Sequence, residues 1–590
     1  ATPDPATPDP ANPDPATPDP ATPDPATPDP ATPDPATPEP ANPEPANPEP
    51  ANPEPANPEP APSPRGRLFG RNVLEATFRA GPDEDLFLGE LLVGVDEATD
   101  RRYVFRVVDV TYGTEHREPG WAERVAGTLL ADDGRGEGGA HPVYEQARRT
   151  YRVASCRCLG YLAAPARRGA PRTVFRKPKS LPTQFSRVVA PEAEDFEWLA
   201  RRMGDLAVGS LRSGETVVEV TVGVPGASLA SHVGIFATTG MGKSNLLRVL
   251  AGGIMAANGR YSLMVVDPHG EHRVPLSRHP WAETALRTYS ARRLPGANTL
   301  RVSLGELSVD DLRTAYEWSR PQEEALYELE RHYGEGEGKG LAWLAAFAAV
   351  EDLAGFREAE VSGRIALSTL QVLHRRARRI VALPCVATDP ALSAGGAVVA
   401  DLLAGRVVLV DVSGLGSTEE VLVASYLTRR VLEEWQGAYL DDPERHERMP
   451  VVAVALEEAQ RVLGASKDRE SNVFPRVARE GRKFGVGLCA VTQQPKLLDG
   501  ELLSQFNTFF VLGLADEKDR NILRSAAKAD ISAQGAEIQT LMPGECLIVN
   551  LAAPFAVPAL VDLWDDHVRR CPPAPAPRPP AGANVSALVD

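Results

Sequence analysis

The sequence predicts an α/β fold: a parallel sheet covered on both faces by helices and carrying a helical insertion, preceded by a small β-barrel and a disordered Pro-rich repeat. Three observations lead there. From Thr216 onward, short continuous apolar runs alternate with amphipathic stretches, the pattern of strands buried on both sides and spaced by helices. One of these runs passes through a glycine-bearing turn into Gly242-Lys243-Ser244, the strand-turn-helix context of a phosphate-binding loop. Another ends in two adjacent carboxylates, Glu457 and Glu458.

Taken in order, residues 1–63 form a tail. The first 60 are twelve copies of Ala-Thr/Asn-Pro-Asp/Glu-Pro, with twelve acids and no base. Proline at every second or third position and the lack of large apolar side chains predict an extended, self-repelling spacer. The whole chain of 590 residues has a formal charge of −17, so the part outside the repeat carries only −5. Residues 64–190 turn to short β-branched and aromatic runs, such as Arg102–Tyr112 and Thr150–Leu162, separated by turns, as in a small β-barrel. The end of this region gathers Arg167, Arg168, Arg172, Arg176, Lys177 and Lys179, a solvated loop or a phosphate-contacting segment.

Residues 191–570 form the large α/β domain. Its strands are read at Val217–Val224, Val233–Ala237, Leu263–Val266, Val407–Val412, Val451–Leu456, Val486–Val491, Phe509–Leu512 and Glu545–Val549. A stretch rich in Leu, Ala, Glu and Arg, at about 275–400, reads as a helical insertion and includes the basic stripe His374–Arg379. Residues 571–590 are a Pro- and Ala-rich arm.

Composition narrows the setting. The longest helical apolar stretch, Leu341–Val350, stops at Glu351 after ten residues, short of the ~18 that span a membrane. The N-terminal stretch has no basic and apolar regions of a secretory signal. Six cysteines with one C-x-C and no C-x-x-C pair support neither a zinc site nor a disulfide framework. A cytoplasmic protein with no membrane association is expected.

The chemistry lies in three segments. In the first, Thr239, Gly240, Met241, Gly242, Lys243, Ser244 and Asn245 are the nucleotide-binding residues. Backbone N–H groups and a helix N-terminus converge on phosphate there, Lys243 neutralises the outer phosphates, and Ser244 ligates Mg²⁺. Ala237 replaces the usual first glycine of this motif. In the second, a buried strand ends in Glu457, suited to the magnesium shell, and Glu458, suited to polarising the attacking water as general base. In the third, Arg476–Pro495, Gln493 at a strand end is a candidate sensor of the terminal phosphate or the lytic water. Among Arg479, Arg482 and Lys483, Arg482 is the candidate arginine finger toward a neighbouring subunit. Asp267, His269 and Glu271 suggest a metal trio, but a single short loop seldom wraps a closed site, so a structural or nucleotide-edge role is preferred. The absence of an Asn-Lys-x-Asp element favours ATP over GTP.

Six segments in order resemble the HerA family within the HerA-FtsK group of hexameric motors. They are Ala237–Asn245, Val265–Glu271, Val410–Leu415, Leu456–Gln460, Arg479–Val486 with Thr492–Pro495, and Phe506–Thr508 followed by Gly544-Glu545. The resemblance implies a RecA-like P-loop ATPase core behind a HerA-type barrel. It also implies a homo-hexameric ring with ATP and Mg²⁺ between subunits, double-stranded DNA in the pore, and a NurA-type nuclease partner in DNA-end resection for double-strand break repair. Two positions depart from the pattern: Gln460 stands where histidine is common, and Gly513 where many relatives place arginine. The same motor assigned to antiphage defence or DNA pumping, or a nucleotide-switched scaffold, are the competing expectations.

Overall fold

The computed structural model describes residues 64–574 apart from 71, 82–83, 115–119, 125, 127–149, 164–173, 335–339, 362 and 465–471. The predicted repeat tail, most of the C-terminal arm, and Arg167, Arg168 and Arg172 of the basic segment lie outside the described residues.

The region before the large α/β domain closes on itself. Strands β1 (Gly66–Gly70), β2 (Glu75–Ala80), β3 (Leu91–Asp96), β4 (Arg101–Thr114), β5 (Thr150–Ala163), β6 (Val174–Arg176) and β7 (Arg187–Val189) pair in the order β2-β1-β7-β3-β4-β5-β6. A further antiparallel pairing of β2 with β5 makes a six-stranded barrel with β6 attached to its wall. Leu68, Phe78, Leu92, Tyr103, Phe105 and Val188 fill the inside. β4 is irregular between Val104 and Phe105 and again between Val107 and Asp109. Such bulges bend a strand and re-aim its side chains. Between these two irregularities lies Arg106, whose side chain reaches the large α/β domain.

The large α/β domain is built on β8 (Leu206–Ser213), β9 (Thr216–Val224), β10 (Val233–Phe236), β11 (Tyr261–Asp267), β12 (Leu286–Ser290), β13 (Asn298–Thr299), β16 (Val407–Asp411), β17 (Val451–Glu457), β18 (Val486–Thr492), β19 (Thr508–Val511), β20 (Glu545–Val549) and β21 (Val557–Val561); a separate pair is β14 (Val302–Ser303) with β15 (Val386–Ala387). The large sheet has the order β13-β12-β16-β11-β17-β18-β10-β19-β20-β21-β8-β9. It is parallel from β13 to β19 and antiparallel beyond.

Alternate residues along the central strands feed two cores. Met264, Val266, Val408, Val410, Val452 and Val454 pack with Leu326, Leu370, Tyr426 and Trp435 on one face. Their neighbours Leu263, Val265, Val407, Leu409, Ala453 and Ala455 pack on the other face with Leu246, Leu250 and Ile254, and with Leu91 and Val104 of the barrel. Burial on both faces explains why these strands read as unbroken apolar runs.

Two sequence expectations are corrected. The strand candidates at Val217–Val224 and Glu545–Val549 form, but in the antiparallel wing, where β20 and β9 run against their neighbours. The helical insertion does not begin near 275, because β12 and β13 belong to the main sheet. β12 escapes a reading by apolar continuity because Leu286 and Arg287 are only half-buried near the sheet edge. The basic stripe on the helix Leu367–Val381 is partly committed within the insertion. Arg376 stacks over Trp318 at 4.4 Å and donates to the Glu317 carbonyl at 2.9 Å.

His232, at a positive φ of 63° just before β10, accepts a hydrogen bond from the Leu488 N–H at 3.0 Å. That bond needs a neutral ring, and burial pushes its pKa down to about 4, as burial does for His279. The unfolded chain takes up these protons near pH 6.5. The stability they give is therefore complete above pH 6.5 and falls away as pH drops toward 4. Urea midpoints measured from pH 7 to pH 4 should decline through that window, with a shallower slope in His232→Gln.

Candidate active site

Parallel strands placed side by side present their C-terminal ends at one edge, and crossover points along that edge open a crevice. Here β10, β18, β17, β11 and β16 end at Phe236, Thr492, Glu457, Asp267 and Asp411. β10 and β11, consecutive along the main sheet's chain path, are separated in space by β17 and β18. The phosphate loop springs from that crossover.

Ala237 N–H donates to the Thr492 carbonyl at 3.3 Å, and Thr238 donates from both its N–H and its hydroxyl to the Gly513 carbonyl at 3.0 Å. Gly240 and Gly242 have φ of 83° and 101°, left-handed values that glycine takes without the penalty a side chain meets. The chain thereby curls back, and the helix Lys243–Ala256 begins with its first N–H groups free for an anion. The resulting cavity, about 370 Å³, is lined by Thr239, Lys243, Ser244, Glu271, Glu458 and Gln493 among others.

Lys243 Nζ donates to the carbonyls of Ala237 and Thr238 at 3.3 Å. Burial holds its ammonium below the ordinary pKa, against the opposing pull of Glu458, Glu457 and Glu271. Burial alone would raise the Glu271 carboxyl, yet a hydrogen bond from Ser244 and the charges of His272 and Arg248 carry it below its ordinary value.

Glu457 Oε1 pairs with His272 Nε2 at 2.8 Å, with both side chains buried. Its other oxygen, Oε2, is buried without a partner among the described residues. Asp267 shapes the loop that delivers His272. Its Oδ1 accepts from the N–H of His269 and Gly270 at 3.0 and 2.7 Å, and its Oδ2 from the His272 N–H at 3.0 Å. One ligand atom each from Asp267, His272 and Glu457 lie within 4.8 Å of one another. The trio considered from sequence, Asp267, His269 and Glu271, is therefore replaced: the tertiary fold gathers His272 and Glu457 around Asp267. Spacing within one loop could not reveal a carboxylate 185 residues away. An unpaired buried carboxylate oxygen on a residue that lines the same cavity as Ser244 suits a hard cation that prefers oxygen ligands, so Glu457 and Ser244 fit Mg²⁺.

Glu458 is held in the left-handed region, at φ 51°, a conformation costing a non-glycine residue about 1 kcal/mol. Its carboxylate is held in a relay. Oε2 accepts from Gln460 Nε2 at 2.7 Å, and Oε1 from Gln493 Nε2 at 3.4 Å. Gln493 Oε1 accepts from the Thr239 hydroxyl, and Gln460 Oε1 accepts from the Thr492 hydroxyl at 2.6 Å. The candidate base, the candidate sensor and the phosphate loop are thus one hydrogen-bonded chain.

Gln460, met in the sequence only as a departure from histidine, is a positioning residue for Glu458. Gln460→Leu removes a hydrogen bond to a charged group, worth ~1.5 kcal/mol. It should lower kcat for ATP about tenfold with nucleotide affinity unchanged, and Gln460→His should restore most of it; an unaltered kcat would remove Gln460 from this role.

The remaining predicted residues fall differently. Asn245 lines the cavity, but its amide donates to the Asp562 carbonyl at 2.8 Å and accepts from the Trp564 N–H at 2.9 Å, which leaves only its main chain for nucleotide. Met241 packs on Gly513, where an added Cβ would lie 2.5 Å from the Met241 methyl. Arg482, with Arg479 and Lys483, is exposed on the helix Val473–Phe484. This helix enters β18 at the opposite end from Thr492, ~20 Å of strand away, so Arg482 is not brought into the site of its own chain.

Residues 206–431 match the family model described as helicase HerA, central domain. The DNA double-strand break repair helicase HerA of Saccharolobus solfataricus is 26% identical over 413 residues, 65% of this chain and 73% of that protein. The proteins of the same name from Pyrococcus furiosus and Sulfolobus acidocaldarius are 25% and 24% identical, over 57% and 59% of this chain and 66% and 67% of their own lengths. The chain thus spans about two thirds to three quarters of these relatives. Among solved structures, the bacterial conjugative coupling protein TrwBdeltaN70 aligns with a TM-score of 0.42 and 15% identity, over 63% of this chain and 93% of that one, too loose a likeness to carry weight. The family match lies across the phosphate loop and the sheet that presents it, and over that region this chain is similar to the HerA helicases.

Proposed function

We propose that the protein is an ATP-dependent translocase or helicase on double-stranded DNA. In this reading it works in the cytoplasm as a homo-hexameric ring with a NurA-type nuclease, in DNA-end resection for double-strand break repair. The observation that carries the reading is the relay from Thr239 through Gln493 to Glu458, which ties the phosphate loop to a general base. A purely nucleotide-switched scaffold has no need of such a base. The names of the relatives, DNA double-strand break repair helicases, support the choice of DNA.

Lys243 and the N–H groups of the phosphate loop bind and orient the terminal phosphates. Mg²⁺, held by Ser244 and Glu457, supplies neutralising charge when bound. Glu458 accepts a proton from the attacking water, which Gln493 orients, and Gln460 keeps the base aimed. Arg482, remote from its own site, acts on the nucleotide of a neighbouring subunit. Arg482→Ala should cut turnover by about 10³-fold while nucleotide still binds. Mixing this variant with Lys243→Ala subunits should restore part of the activity, because mixed rings contain interfaces with one intact half from each; a mixture as inactive as its components would place the finger elsewhere.

The deciding experiment is ATP turnover with and without linear duplex DNA at fixed low salt. Stimulation by duplex, abolished by Lys243→Ala, is expected. Turnover indifferent to DNA in every form would overturn the autonomous motor and favour the scaffold.

A further inference from the structure

A second cavity, of about 500 Å³, lies where the barrel meets the large α/β domain and shares no lining residue with the ATP site. Its walls come from β5, the Lys177-Pro178 segment, the end of the helix Ala193–Arg202, residues 528–534 and the loop 550–556. Its volume is in the range of small-ligand sites, ~300–1,000 Å³.

Its charge is one-sided. Arg157, Lys177, Arg202 and Lys528 line it against a single carboxylate, Asp530. Arg157 donates to Asp530 Oδ2 at 3.2 Å, and Lys528 Nζ to the Ser504 carbonyl at 2.6 Å. Lys177 and Arg202 have no ion pair to a described residue.

Its deeper wall holds unspent polar groups. Arg106, Asn550 and Gln534 are 0%, 3% and 4% exposed. Each has a side-chain atom without a partner among the described residues: Arg106 Nε, Asn550 Nδ2 and Gln534 Oε1. Buried polar atoms are nearly always paired, so the two donors among them, Arg106 Nε and Asn550 Nδ2, point to a ligand that accepts from them. Asn550 is oriented by its turn: its Oδ1 accepts from the N–H of Ala552 and Ala553 at 2.9 Å, which leaves the amino group over. Two N–H donors beneath a cationic rim suit oxygen anions of high charge.

We propose that this junction cavity binds a phosphate-bearing ligand with more than one negative charge. The same chemistry is offered by a small polyphosphate and by the phosphodiester backbone of a nucleic acid.

The test uses the full chain with its phosphate loop saturated by a non-hydrolysable ATP analogue and Mg²⁺. Calorimetric titration with inorganic pyrophosphate, and separately with a short oligonucleotide, should show binding of at least one probe. Asn550→Asp keeps the two turn acceptors and replaces the free donor by a charged acceptor, so it should weaken that binding tenfold or more. Lys177→Glu, an exposed change that leaves packing intact, should do the same, with affinity for the ATP analogue unaltered in both. Binding of pyrophosphate alone assigns the site to a small anion, and binding of the oligonucleotide alone assigns it to a nucleic-acid backbone. No binding of either probe, or binding that ignores both substitutions, overturns the proposal. A motor indifferent to DNA would leave the pyrophosphate result untouched, so the two readings fail separately.

Discussion

Glu458→Gln should bind ATP as tightly as the parent chain and hydrolyse it 10²- to 10⁴-fold more slowly, the ~10²–10⁴ that a positioned general base contributes. The substitution is nearly isosteric. The amide keeps an oxygen that can accept from Gln460 or Gln493, so the relay and the turn at φ 51° survive while the proton acceptor is lost. Lys243→Ala should behave differently, since it removes charge that faces the phosphates in the ground state as well as in the transition state, and nucleotide affinity should fall with turnover. Equilibrium binding of a fluorescent ATP analogue, measured beside single-turnover hydrolysis, separates the two. Full hydrolysis by Glu458→Gln would transfer the base role to another group at the strand edge, of which Glu457 is the nearest in sequence.

The second large effect lies at the junction of the barrel and the large α/β domain. Arg106, wholly buried, donates to Glu537 Oε1 at 2.5 Å and to the Ala556 carbonyl at 2.7 Å. Arg212, also buried, donates to the same carboxylate oxygen at 2.7 Å. Two guanidinium groups thus share one acid out of water. Removing one partner of a buried ion pair costs about 3–5 kcal/mol, whereas replacing the whole set by apolar residues of similar volume is often neutral or stabilising. Glu537→Ala should therefore lower unfolding stability by ~3–5 kcal/mol, read as a drop in the urea midpoint. The triple variant Arg106→Met/Arg212→Met/Glu537→Leu should recover most of that loss. A Glu537→Ala midpoint equal to the parent's would mean that water reaches the two arginines.

The consequence extends beyond stability. Glu537 lies on the short helix Gly535–Thr540, which packs against the strand end after β19 through a hydrogen bond from Leu514 N–H to the Ile538 carbonyl at 3.3 Å. The chain then passes to Gly544, whose N–H donates to the Met241 carbonyl of the phosphate loop at 3.2 Å. A continuous set of contacts therefore runs from the barrel wall to the nucleotide cavity, and Glu537→Ala is the variant that breaks it.

Much of the site was legible because its parts are local. A strand, a turn with glycines at two left-handed positions, and Lys243-Ser244 at a helix start are contiguous, and backbone geometry alone obliges them to form an anion cradle. Glu457 and Glu458 are likewise read from one strand end, and continuous apolar runs mark the strands buried on both faces. The relations between segments were not legible. His272 against Glu457, Gln493 on Glu458, and Arg106 with Arg212 on Glu537 each join residues whose meeting depends on strand order. The antiparallel wing was misplaced for the same reason: an apolar run shows burial but carries no mark of direction, and β12 shows little of either near an edge. Local stereochemistry and periodicity wrote the elements and the phosphate loop into the sequence. Only the tertiary structure decided which carboxylate faces which partner, because hydrogen bonds between segments 35 to 431 residues apart leave no periodic trace in the chain.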